Sequence, residues 1–128
     1  VYSALIVDDD EINLEILSDY LEAAGLAVMT VVDGESAITV LDSQDYQFDV
    51  MFLDWMLPGI SGLEVLKHVR TGNTKNVDLP IIMQTAKASD INRKNGLEAG
   101  ANYYLSKPFD ESAFLLALQV SLPTISFA

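Results

Sequence analysis

Apolar runs of strand length alternate with stretches of helical period five times along these 128 residues. Leu5-Ile6-Val7 reads as a first strand, and Ile12, Ile16, Leu17, Tyr20, Leu21 and Ala24 follow with helical spacing up to Gly25. Ala27 to Val32 is a second strand, and a short helix passes through Ala37, Ile38 and Leu41. Val50 to Leu53 is the third strand, stopped by Asp54 and the Pro58-Gly59 turn. Ser61 caps a third helix through Leu63, Val65, Leu66 and Val69, closed near Gly72. Pro80 to Gln84 is a fourth strand, and Ser89 caps a fourth helix reaching Ala99. Tyr103 to Ser106 is the fifth strand, and Asp110 caps a last helix through Phe114, Leu115 and Leu118 that ends before Pro123. The fourth helix has a thin apolar stripe (Ile91, Leu97) weakened by Gly96, and should be the least firmly packed.

Strands that are almost wholly apolar must be covered on both faces, and strands alternating with helices supply that cover. The expected architecture is α/β, a doubly wound five-stranded parallel sheet of order 2-1-3-4-5 with five helices. In that order the first and third strands are neighbours and the chain reverses direction between them. Ligands of such sheets bind beyond the carboxyl ends of the strands, at that switch point.

Composition narrows the function. Half of the residues are hydrophobic, which argues against disorder despite a net charge of -12. With 7 Lys+Arg against 19 Asp+Glu, the chain has little with which to neutralise phosphates, so a direct nucleic-acid surface is not expected. There is no cysteine, hence no disulfide or thiolate chemistry, as suits the cytoplasm. No leader and no membrane span is expected, and the opening Val1 suggests a chain processed or cut from a longer one.

The polar residues at the strand ends form a set. Asp8 and Asp9 end the first strand, Asp54 the third, Thr85 the fourth, and Lys107-Pro108 the fifth. Any one could be a cap or turn residue. Together they bring three carboxylates to the two strands that flank the switch point. Carboxylates so close repel, and at least one pKa rises unless a cation sits among them. Oxygen ligands suit a hard ion such as Mg²⁺. A metal, a lysine and a hydroxyl around one carboxylate make a site for phosphoryl transfer, with the carboxylate itself available as nucleophile.

At these residues the chain resembles the receiver domains of two-component response regulators. The matching stretches are Leu5 to Asp10, Phe52 to Gly59, Ile81 to Ala86, Gly96 to Ala101 and Tyr104 to Phe109, covering about residues 4 to 120. The resemblance implies a flavodoxin-like fold, a receiver domain over 1–122, and a tail or linker start over 123–128. It implies that Asp54 is the phosphoacceptor, and that Asp9, Asp54 and the Met56 backbone carbonyl bind Mg²⁺ with Asp8 acting mainly through water. Lys107 would contact the phosphoryl oxygens, the Thr85 hydroxyl would turn inward to bond one, and Tyr104 would be the switch aromatic. The phosphoryl donor would be a partner histidine kinase or histidine phosphotransfer protein. The face made by the fourth helix, fifth strand and fifth helix would carry the output to an effector, and could also join two copies. Such a domain is a signalling module rather than an enzyme, beyond its own phosphorylation and dephosphorylation.

The rival reading is a Mg²⁺-dependent phosphohydrolase with an aspartate nucleophile. The haloacid-dehalogenase-like group would place a second Asp two residues after the nucleophile, where this chain has Met56. A purely structural domain of the same fold would be favoured by loss of Asp54 or Lys107, and both are present. His68, the one histidine, sits late in the third helix beside Lys67 and Arg70, where cations suit the helix terminus. A surface role is expected for it. Trp55 is expected to be half-exposed and to report on the site by fluorescence. Met56 and Lys87, each two residues beyond a site residue, stand where receiver domains vary and influence phosphoryl lifetime; the alternative for Lys87 is an ordinary solvated lysine.

Overall fold

The computed structural model describes residues 2–43, 45–72, 74–86 and 90–123, with only the helical backbone over 90–93. Ten elements alternate: β1 (Ser3–Val7), α1 (Glu11–Ala23), β2 (Ala27–Val31), α2 (Gly34–Asp42), β3 (Val50–Asp54), α3 (Gly62–Thr71), β4 (Ile81–Thr85), α4 (Asp90–Glu98), β5 (Tyr103–Ser106) and α5 (Glu111–Ser121). The strands form one parallel sheet in the order β2-β1-β3-β4-β5, as the alternation predicts.

Two apolar layers cover the sheet. On one face Leu5, Val7, Met51, Leu53, Ile81 and Met83 pack with Leu41 of α2 and Val65, Leu66 and Val69 of α3. On the other, Ile6, Phe52, Ile82 and Leu105 pack with Leu17 and Leu21 of α1 and Phe114 and Leu118 of α5. The Phe114 ring lies 5.4 Å from that of Phe52 and 5.1 Å from that of Tyr20. β3 and β4 are buried along their whole length, which is why both read as continuous apolar runs. Among the described residues no helix is long and apolar enough to cross a membrane.

The helix starts explain themselves. Asp10, Ser61 and Asp110 each accept backbone N–H groups of the following turn, two of them as anticipated. Asp33 caps α2 in the same way, taking the Ser36 N–H at 2.6 Å. The cap expected at Ser89 lies outside the described residues, as do Lys87 and the tail from residue 124 onward.

Three expectations need correction. β2 ends at Val31, leaving Val32 half-exposed, because the sheet edge it would extend has no further partner residue on β1. β4 begins at Ile81 rather than Pro80, since proline has no N–H to give a strand ladder. Leu97, assigned to the packed stripe of α4, is 44% exposed. The side chain of Ile91 lies outside the described residues, and among the described part of α4 the buried position is Gly96, where an added Cβ would stand 3.3 Å from the Trp55 ring and 3.5 Å from that of Tyr104. The residue that weakens the helix by propensity is the one that faces those two rings.

Candidate active site: a carboxylate cluster at the carboxyl edge

The site residues are the last residues of strands or the first beyond them. Asp54 ends β3 and pairs in register with Gln84 of β4, so their side chains stand side by side on the α1/α5 face. Asp8 and Asp9 follow β1, and Lys107 follows β5, its amide held by the Thr85 carbonyl. The peptide from Lys107 to Pro108 is cis. Close approach of α3 to this edge depends on Gly62, whose N–H bonds the Trp55 carbonyl. A Cβ there would come within 2.1 Å of the Asp54 carbonyl oxygen.

Asp8 is fully buried and Asp54 nearly so, while Asp9 is exposed. One oxygen from each lies within 4.8 Å of the others. Two ligands of an octahedral Mg²⁺ sit about 3 Å apart when adjacent and about 4 Å apart when opposite, given metal–oxygen distances near 2.1 Å. The three carboxylates therefore fit one small hard cation after minor closure. Lys107 Nζ stands opposite, 3.0 Å from Asp8 Oδ2 and 3.2 Å from Asp54 Oδ2. Asp54 Oδ1 accepts the Met56 N–H at 3.2 Å.

Burial pushes the Asp54 carboxyl up to about 6, and the Asp8 charge adds to the rise against the opposing pull of Lys107 and the Met56 N–H. For Lys107 burial disfavours the ammonium, but its bond to Asp8 and the charges of Asp54 and Asp8 outweigh that and raise its pKa. At neutral pH Asp54 is thus mostly ionised, nearly buried and with the Lys107 ammonium on one side.

The structure brings together Asp8, Asp9, Asp54 and Lys107 as the spacing predicts. Thr85 is buried at the end of β4, on the strand that borders Asp54. Tyr104 is also buried, one strand further out, its ring edge-on to Trp55 at 6.4 Å. Met56 is exposed, and Trp55 is half-buried as expected. His68 is a surface residue, with its Nε2 2.9 Å from Asp42 Oδ2. A cleft of about 300 Å³ opens beside the site, between the first turn of α1 and the segment after Lys107, with Ile12, Ile16, Pro108 and Phe109 among its walls.

Two site residues escaped the sequence reading. Gln84 is fully buried and donates to Asp8 Oδ2 at 3.2 Å, and the Asn13 amide donates to the same oxygen. The available signal for Gln84 was an amide directly after the apolar run Ile81 to Met83 within the same strand, since a buried polar group requires a partner.

The profile of the response regulator receiver domain matches residues 4–119. The phosphate regulon transcriptional regulatory protein PhoB of Pseudomonas aeruginosa is 38% identical over 92% of this chain and 50% of its own. The chain spans about half the length of the curated relatives it matches. The chemotaxis response regulator CheY4 of Vibrio cholerae superposes with a TM-score of 0.85 at 33% identity, over 95% of this chain and 99% of that one. The receiver domain of the sensor histidine kinase PA1611 from Pseudomonas aeruginosa, solved with magnesium in its active site cleft, gives 0.85 at 30% identity, over 96% and 98%.

Proposed function

The chain belongs to the response regulator receiver family, and from that premise we propose that it is a phosphorylation-dependent switch whose acceptor is Asp54. The observation that carries this reading is a buried, ionisable Asp54 bonded to Lys107 at 3.2 Å and clustered with Asp8 and Asp9. The donor is a phosphohistidine on a partner histidine kinase or phosphotransfer protein, reaching Asp54 along the cleft beside α1. An Asp54 oxygen forms the new P–O bond while the P–N bond to the donor imidazole breaks, and the ring keeps the electron pair and takes a proton.

Asp9, Asp54 and the Met56 carbonyl would hold Mg²⁺, with Asp8 behind a water. When bound, the ion supplies positive charge for the phosphoryl oxygens. Lys107 turns from the carboxylates to the transferred group, and the Thr85 hydroxyl bonds one of its oxygens. Tyr104, packed against Trp55 and Gly96, follows Thr85, so that the change reaches the face of α4, β5 and α5. An effector domain or protein reads that face. The phosphohydrolase alternative finds no acid/base at Met56, whose side chain is exposed and apolar.

Intact-mass measurement after incubation with Mg²⁺ and acetyl phosphate tests the reading. The expected product is one phosphoryl adduct, labile to hydroxylamine, absent without metal and absent in Asp54→Asn. An unmodified protein, or rapid multiple turnover of phosphate esters, would overturn it.

A further inference from the structure

Asp8 is the most heavily bonded carboxylate of the pocket. Its Oδ1 accepts the Asp10 N–H at 2.9 Å. Its Oδ2 takes three donors: the Asn13 amide, the Gln84 amide at 3.2 Å and the Lys107 ammonium at 3.0 Å. The two amides also face one another, with Asn13 Nδ2 3.5 Å from Gln84 Oε1. They come from the first turn of α1 and the last turnless residues of β4, so they tie those elements together across Asp8. A carboxylate oxygen offers about two lone pairs, so Oδ2 is saturated. A cation entering beside Asp9 and Asp54 finds only Oδ1 of Asp8 open, unless it displaces a donor.

We propose that Asn13 and Gln84 form a two-amide latch on Asp8 that stabilises the metal-free pocket and so lowers its affinity for Mg²⁺. They are positioning residues, acting through Asp8. The inference rests on reading Asp8, Asp9 and Asp54 as the Mg²⁺ pocket. Donor and cation compete for the same negative charge. Deleting a donor leaves buried Asp8 under-bonded when the pocket is empty, but a bound cation supplies much of the missing compensation. The empty state is therefore raised more than the loaded one, and affinity increases. The latch has a second consequence. When Lys107 leaves Asp8 for a phosphoryl group, the two amides and the Asp10 N–H keep the buried carboxylate bonded.

The test is calorimetric titration of Mg²⁺ into the wild type, Gln84→Met and Asn13→Leu, paired with thermal unfolding in EDTA and in saturating Mg²⁺. Each variant should bind Mg²⁺ roughly two- to tenfold more tightly, the span of one hydrogen bond's net contribution. Each should lose stability in EDTA and regain part of it with Mg²⁺. Unchanged or weaker binding in the variants, with the wild type binding normally, overturns the latch alone. No Mg²⁺ binding by the wild type overturns the reading of the pocket and the latch with it. Should Gln84→Met fail to fold, Asn13→Leu decides, because Asn13 is only half-buried on α1.

Discussion

At the amino ends of the strands, polar side chains bond mainly to backbone. Asn76 gives its amide to the Leu41 carbonyl at 3.0 Å and takes the Phe48 N–H at 3.4 Å. Asp49 takes the Ser3 N–H at 2.7 Å. Asn102 takes the Ile81 N–H and the Arg70 guanidinium on one oxygen, and Arg70 also donates to the carbonyls of Gly100 and Val77. At the carboxyl ends the polar side chains bond mainly to each other: Asp8, Asp54, Gln84, Asn13 and Lys107. The amino edge uses polarity to finish a fold, group by group. The carboxyl edge gathers more carboxylates than cations and leaves a charge imbalance for a ligand to correct. The backbone-satisfying contacts and the candidate site thus lie at opposite ends of the same strands, and a parallel sheet is expected to bind ligands at its carboxyl end.

That segregation can be broken by experiment. Asn76→Leu strands the Leu41 carbonyl and the Phe48 N–H in a buried setting, and should lower the unfolding free energy by about 2–4 kcal/mol. Its Mg²⁺ affinity should stay within twofold of the wild type; a larger shift would mean the edges are coupled. Asp9→Asn is the opposite case. Asp9 is exposed, so denaturant midpoints in EDTA should hardly move, while Mg²⁺ affinity falls about tenfold or more.

Asp54 sharpens the contrast, because its carboxyl stands at about 6 in the folded protein against an ordinary 3.8. The folded state favours its neutral form. Its contribution to stability is therefore fully present below about pH 4 and is lost as pH rises through 6. Asparagine cannot ionise and keeps it. In metal-free buffer Asp54→Asn should be more stable than the wild type by about 1–2 kcal/mol above pH 7, after allowance for screening. The gap should close by pH 4, as followed by unfolding at fixed ionic strength. A gap independent of pH would assign the effect to packing instead. The smallest effect is expected at His68, whose pairing with Asp42 is exposed: His68→Gln should change stability by less than about 0.5 kcal/mol and leave Mg²⁺ binding alone.

Much of this was legible in the sequence. The alternation of buried strands with helices specified a parallel sheet, and the caps at Ser61 and Asp110 marked helix starts correctly because their chemistry is local. Asp8, Asp54 and Lys107 could be placed at one edge because each stands at the end of a strand legible in the sequence. What the sequence did not reveal at Gly96 has an equally physical reason. Propensity counts the cost of a missing side chain within the helix, whereas the rings of Trp55, just past β3, and Tyr104 of β5 leave little room for a Cβ at that position.

The sequence by itself therefore determined the sheet, its order and the edge to which the acidic residues come, since these follow from burial period and from residues adjacent in the chain. Only the tertiary structure decided who bonds to whom there. Asp8 meets Gln84 from 76 positions away and Lys107 from 99, and those meetings depend on strand register and side-chain reach across four strands. A pattern of apolar and polar residues carries the first kind of information. Hydrogen-bond geometry carries the second, and it turns three clustered carboxylates into a pocket in which Asp8 is held, Asp9 is open to solvent and Asp54 is nearly buried beside Lys107.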